Sequence, residues 1–209
     1  MTQDLTFFAG ALLSLGCAVF GYFFLRAGRR EQYSQATLRK GLAGLCFVVL
    51  GFLNMFFCGD KSFGQFTALG LALGLAGDLL LALRYVYKDK HDAFFKEGAQ
   101  AFALGHALYI IALLRHDGGA FLPALPIFAL GLLVSLLYFR VKKVDAGRLR
   151  LPSVLYIALV VLMASVACGA AIRGFSVGLL LFAVGGICFS VSDNLLCGYC
   201  FGTAHSPAV

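Results

Sequence analysis

The chain has 209 residues, of which 61% are hydrophobic and only 13% charged. Soluble domains average roughly 45 to 50% apolar and about 25% charged, so an ordinary soluble enzyme, a disordered chain and a collagen-like chain are all disfavoured. The 17 basic and 10 acidic residues leave a formal net charge of +7. Nucleic-acid binding would need a contiguous basic face with stacking aromatics; here the bases are dispersed between apolar runs, a pattern that marks membrane topology.

In chain order the first apolar run spans residues 5–25. It follows Met1-Thr-Gln-Asp4 with no basic n-region, and no small-residue cleavage signature comes after it, so it reads as a span rather than a leader. Further runs at 41–58, 65–86, 98–114, 121–139, 151–172 and 175–199 are continuously apolar. Runs of about 20 residues predict helices, whereas barrel strands would alternate over about ten. The prediction is an all-α polytopic transmembrane bundle of seven spans, occupying residues 1–209 as one integral-membrane domain. Gly70-x-x-x-Gly74 with Gly77, and Gly185-Gly186, predict close helix packing. Pro123, Pro126, Pro152 and Pro207 are expected at helix starts or in tails.

Counting Lys and Arg connection by connection gives five, one, four, one, five and one, with none in either tail. Basic residues accumulate on the cytoplasmic side, which places the N-terminus outside or in a lumen and the C-terminus in the cytoplasm. A bacterial cell membrane or the endoplasmic reticulum fits equally. The seven cysteines are scattered through apolar segments and suggest no disulfide framework. Cys197-x-x-Cys200 has metal or redox spacing but no second pair. His91, His106, His116 and His205 follow no ligand spacing, so neither a metal nor another cofactor is expected.

Eight of the ten acids fall in tails, loops or helix ends; Asp78 and Asp193 lie inside apolar runs. A carboxylate at mid-bilayer costs about 2.5 to 3.5 kcal/mol on insertion scales, which makes both functional candidates. Helical rise puts Asp78 about 9 Å before Arg84, Asp193 about 9 Å before Tyr199 and His106 about 12 Å past Gly98, one shared stratum. The plain alternative is that each only makes an interhelical hydrogen bond. Two carboxyls in an apolar site tend to share a proton, a state suited to acid and base work on an acid-labile ether, enol ether or acetal.

Three blocks carry a resemblance to a known family: Gly77-Asp78-Leu-Leu-Leu, Gly98-x-x-x-Phe102-x-x-x-His106-x-x-Tyr109, and Gly185-x-x-x-Phe189-x-x-Ser192-Asp193. Lys40 and Pro152-x-x-x-Tyr156 are weaker echoes. In order and spacing the set resembles the lysoplasmalogenases, or YhhN-like family, polytopic membrane enzymes that typically have one more helix after the Ser-Asp block. The resemblance implies cofactor-free hydrolysis of the vinyl ether bond of a lysoplasmalogen to a fatty aldehyde and glycerophosphoethanolamine or glycerophosphocholine. It implies Asp78 and Asp193 as the catalytic pair, in either order. His106, Tyr109, Ser192 and Tyr156 would be supporting residues, and Lys40 and Asn194 would bind substrate. The expected partners are a lysophospholipid with a vinyl ether chain and membrane lipids. Two other readings stay open: a small proton-coupled carrier with the two acids as a relay, and a seven-helix receptor-like protein. The seventh helix has no Lys for a retinal Schiff base.

Overall fold

The computed structural model describes residues 3–202. Among the described residues there are seven α-helices and no strand: α1 (Gln3–Arg29), α2 (Tyr33–Phe57), α3 (Lys61–Val86), α4 (His91–His116), α5 (Phe121–Val141), α6 (Arg150–Arg173) and α7 (Val177–Phe201). All seven are long and apolar enough to cross a membrane. Within hydrocarbon only a helix satisfies its own backbone polar groups, which is why each apolar run takes this form.

The helices extend past the apolar runs. α2 starts eight residues and α4 seven residues before the predicted spans, because a helix continues through polar turns until something caps or breaks it. A 25-residue helix is about 37 Å long against a hydrocarbon core of about 30 Å, so Arg39, Lys40 and Lys96 belong to helices while standing near the interface. Asp60 caps α3 by accepting from the Phe63 N–H at 3.0 Å. Ser176 does the same for α7 through the Leu179 N–H at 3.1 Å. Pro126 corrects one expectation, since it lies inside α5 rather than at its start. Membrane helices tolerate such a proline where neighbouring groups take up the freed carbonyl.

The chain divides into two compact units, Met1–Leu108 and Tyr109–Val209, with the boundary inside α4. In the first unit α2 packs between α1 and α3. α3 and the first part of α4 approach through glycines. A Cβ at Gly77 would stand 2.7 Å from the Phe102 ring, and one at Gly98 would stand 2.9 Å from Leu81. The Gly70–Gly74–Gly77 stripe thus admits α4, as the spacing predicted. In the second unit α6 packs between α5 and α7. Its core residues Ile157, Val160, Val166 and Ala167 are buried. Large apolar side chains such as Phe7, Leu12, Leu130, Leu133 and Leu181 are exposed, as expected when the surrounding solvent is lipid.

Candidate active site

In the first unit, Asp78 lies mid-helix on α3, directly after the close approach at Gly77. Its Oδ1 is 2.7 Å from Lys40 Nζ, with the side chains 35% and 27% exposed respectively. The Lys40 ammonium also lies 5.7 Å from the centre of the Phe24 ring. Its neighbour Arg39 donates to the Phe23 carbonyl at 3.1 Å and to Gln35 Oε1 at 2.9 Å. Lys40 is therefore placed by α1 and committed to Asp78.

His106 on α4 is only 2% exposed. Its Nδ1–H donates to the Phe102 carbonyl at 2.6 Å. A carbonyl can only accept, so in the neutral ring this bond puts the proton on Nδ1 and makes Nε2 the acceptor. The bond also fixes the ring plane.

In the second unit the Tyr156 hydroxyl donates to Asp193 Oδ2, joining α6 to α7. The resemblance brought in Tyr156 and Asp193 separately, and the structure brings them together. Tyr109 packs edge-on against Phe182 of α7 with ring centres 5.6 Å apart. Ser192 lies on the exposed face of α7. Asn194 donates from Nδ2 to the Ser190 carbonyl at 2.8 Å, and its buried Oδ1 has no hydrogen-bond partner among the described residues. Asn194 stands at one end of an apolar groove of about 420 Å³ between α5, α6 and α7, which Leu130, Val134 and Ile187 also line. The groove's Ser135 and Ser165 hydroxyls donate to carbonyls of their own helices at 2.9 and 2.7 Å.

Arg84 was legible in the sequence only as one more basic residue near an interface. The structure buries it to 5% exposure in the last turn of α3. The guanidinium donates to the Tyr85 hydroxyl at 2.6 Å and lies 4.6 and 5.4 Å from the centres of the Tyr85 and Phe95 rings. The negative end of the helix dipole and two aromatic faces together hold the charge. No spacing rule announces this cage, because Phe95 comes from the following helix. Among the described residues no group of three or more His, Cys, Asp or Glu side chains comes together. His205 lies outside the described residues.

Among the described residues, seven membrane-length helices define an integral multi-pass membrane protein, with Asp78 held by Lys40 in the first unit and Asp193 by Tyr156 in the second. The YhhN family model matches residues 35–207, and the chain belongs to the YhhN family, which includes lysoplasmalogenases. No curated protein and no solved structure matches the chain.

Proposed function

We propose that the protein hydrolyses the vinyl ether bond of lysoplasmalogens, releasing a fatty aldehyde and the glycerophospho head group. The observation that carries this reading is that both intramembrane acids of this YhhN-family chain have unlike, dedicated partners: a lysine ammonium for Asp78 and a tyrosine hydroxyl for Asp193. Unlike surroundings are how two carboxyls take different parts in one reaction.

In this mechanism Asp193 is the general acid. The Tyr156 hydroxyl donates to Oδ2 and so orients the carboxyl that carries the transferable proton. It passes to the vinyl carbon one removed from the ether oxygen, and the remaining C–O unit becomes an oxocarbenium ion. Asp78, the partner of Lys40, stabilises that cation and takes a proton from the water that adds to it. The resulting hemiacetal collapses: its hydroxyl proton returns to Asp193, the proton held by Asp78 passes to the glycerol oxygen as that C–O bond breaks, and aldehyde and a free glycerol hydroxyl form with net consumption of one water. His106 and Tyr109 are positioning residues, and Asn194 offers an acceptor to a substrate hydroxyl.

The test is aldehyde release from a lysoplasmalogen by purified protein. Asp78→Asn and Asp193→Asn are each expected to lower kcat by at least about a hundredfold, the usual worth of a general acid or base. Full activity in either variant would remove that residue from the mechanism. Uptake driven by a pH gradient with no aldehyde formed would favour the carrier reading instead.

A further inference from the structure

The resemblance made Lys40 a candidate for binding substrate, yet its ammonium is engaged by Asp78 at 2.7 Å. The second unit holds a better-suited place. Arg140, Lys143 and Arg150 line a pocket of about 380 Å³ at the end of α5 and the start of α6, with Ser153 and Cys197 also in its wall. Positive-inside anchoring accounts for bases near an interface; here three exposed bases border one cavity, and no acid is in its lining. The one acid of the connecting loop, Asp145, is not in that lining and has its Oδ1 engaged by the Gly147 N–H at 3.0 Å.

The pocket is also built rigidly. The Val144 N–H bonds to the Phe139 carbonyl at 2.9 Å and the Lys143 N–H to the Arg140 carbonyl at 3.2 Å, ending α5 in a Schellman turn. Lys143 takes the left-handed position of that turn at φ +49°, where glycine is the usual residue and a side chain is strained. The Asp145 N–H bonds to the Phe201 carbonyl at 2.8 Å, tying the loop to the end of α7.

Its depth relative to Asp193 is informative. Ser153 is three residues before Tyr156 and Cys197 four residues after Asp193, so the Tyr156–Asp193 bond lies about one turn, roughly 5 to 6 Å, deeper along the same α6–α7 seam. In a lysoplasmalogen, six ordinary bonds, a span of about 6 to 7.5 Å, separate the phosphorus from the vinyl carbon bound to oxygen. We propose that Arg140, Lys143 and Arg150 seat the phosphodiester of a lysophospholipid and so set its ether bond at the depth of Asp193. The proposal rests on the hydrolase reading for the reacting bond, but the seat is testable without turnover.

The experiment measures binding of a 1-O-alkyl glycerophosphocholine, whose saturated ether has no double bond to protonate, and of the matching 1-O-alkylglycerol, which lacks phosphate. Wild type, Arg140→Gln/Arg150→Gln and Lys143→Gln are compared in nanodiscs of neutral lipid. Loss of charge-assisted contacts is expected to weaken the phosphorylated ligand by at least about tenfold. Binding of the alkylglycerol, which also reports that the variants are folded, is expected to stay unchanged. Free glycerophosphocholine should compete with the phosphorylated ligand and inorganic phosphate should not. Equal weakening of both ligands, no weakening of either, or equal competition by inorganic phosphate would overturn the assignment. The expected binding pattern without any aldehyde from a lysoplasmalogen would overturn the hydrolase reading and leave the seat standing.

Discussion

At the scale of single residues, the two intramembrane acids differ in how they are held. Asp78 faces a cation and Asp193 a phenol, and the difference gives each a separate test. Tyr156→Phe removes one hydroxyl and keeps the ring, so α6–α7 packing is preserved while Asp193 loses its donor. Under the proposed mechanism this variant is expected to lower kcat by about tenfold or more with KM little changed, since one orienting hydrogen bond to a reacting group is lost. An unchanged kcat would reduce the Tyr156–Asp193 bond to a structural contact. Outside the spans, Asp117 accepts from Arg173 Nε at 2.8 Å and from the Gly119 N–H at 2.9 Å. The Arg173 hydrogen bond, aided by the Gly119 N–H and the nearby positive charge, holds its carboxyl below the ordinary aspartate range. A carboxyl depressed in the folded state adds stability above its unfolded value, and that contribution disappears as the pH falls through the folded one. The Tm advantage of wild type over Asp117→Asn should therefore be constant near neutrality and shrink as the pH is lowered below about 4. Asn keeps the turn-capping oxygen, so the comparison isolates the ion pair. An advantage that persists at low pH would show that the pair is not its source.

Among the elements, helix ends show how far local rules reach. Asp60 and Ser176 are ordinary N-caps and could be read from residue type. The C-terminal ends of α1 and α5 follow a different logic. After α1 the Gln32 N–H bonds to the Ala27 carbonyl at 3.1 Å and the Glu31 N–H to the Gly28 carbonyl at 3.0 Å, again a Schellman turn. Its left-handed residue is Glu31 at φ +57°. A side chain in that conformation costs roughly 1 to 2 kcal/mol, and glycine removes the cost in the folded state while adding freedom to the unfolded one. Glu31→Gly is therefore expected to stabilise the protein by about 0.5 to 1 kcal/mol, read as a higher Tm in detergent, with catalysis unaffected. A lower Tm would mean that the Glu31 side chain contributes something the backbone does not reveal. Lys143 stands in the same position at the end of α5, but there its charge lines a pocket, so the corresponding glycine variant would trade a lost ligand contact for backbone relief.

For the molecule as a whole, the apolar runs predict seven spans, and the described residues hold seven helices of membrane length. Loop charges predict which side each connection faces. With native cysteines replaced, Ala146→Cys should resist a membrane-impermeant maleimide on intact cells and Gly118→Cys should react. The reverse pattern would invert the topology and put the basic pocket on the outer face.

Span number, helix class and the two acids that need a reason were all legible in the sequence, because hydropathy and the expense of a charge in hydrocarbon act locally along a chain. The family blocks were legible too, since helical spacing sets their residues at fixed positions. The partners were not. Lys40 lies 38 residues before Asp78 and Tyr156 lies 37 before Asp193, and which side chains meet across a seam depends on how neighbouring helices rotate and approach. Glycine contacts such as Gly77 against Phe102 decide that approach. The same cause hid Arg84 and the α5–α6 pocket, whose bases the sequence could count only as topology marks. Local chemistry determined what the chain must bury and what it must explain; the packing of its helices determined which groups answer one another.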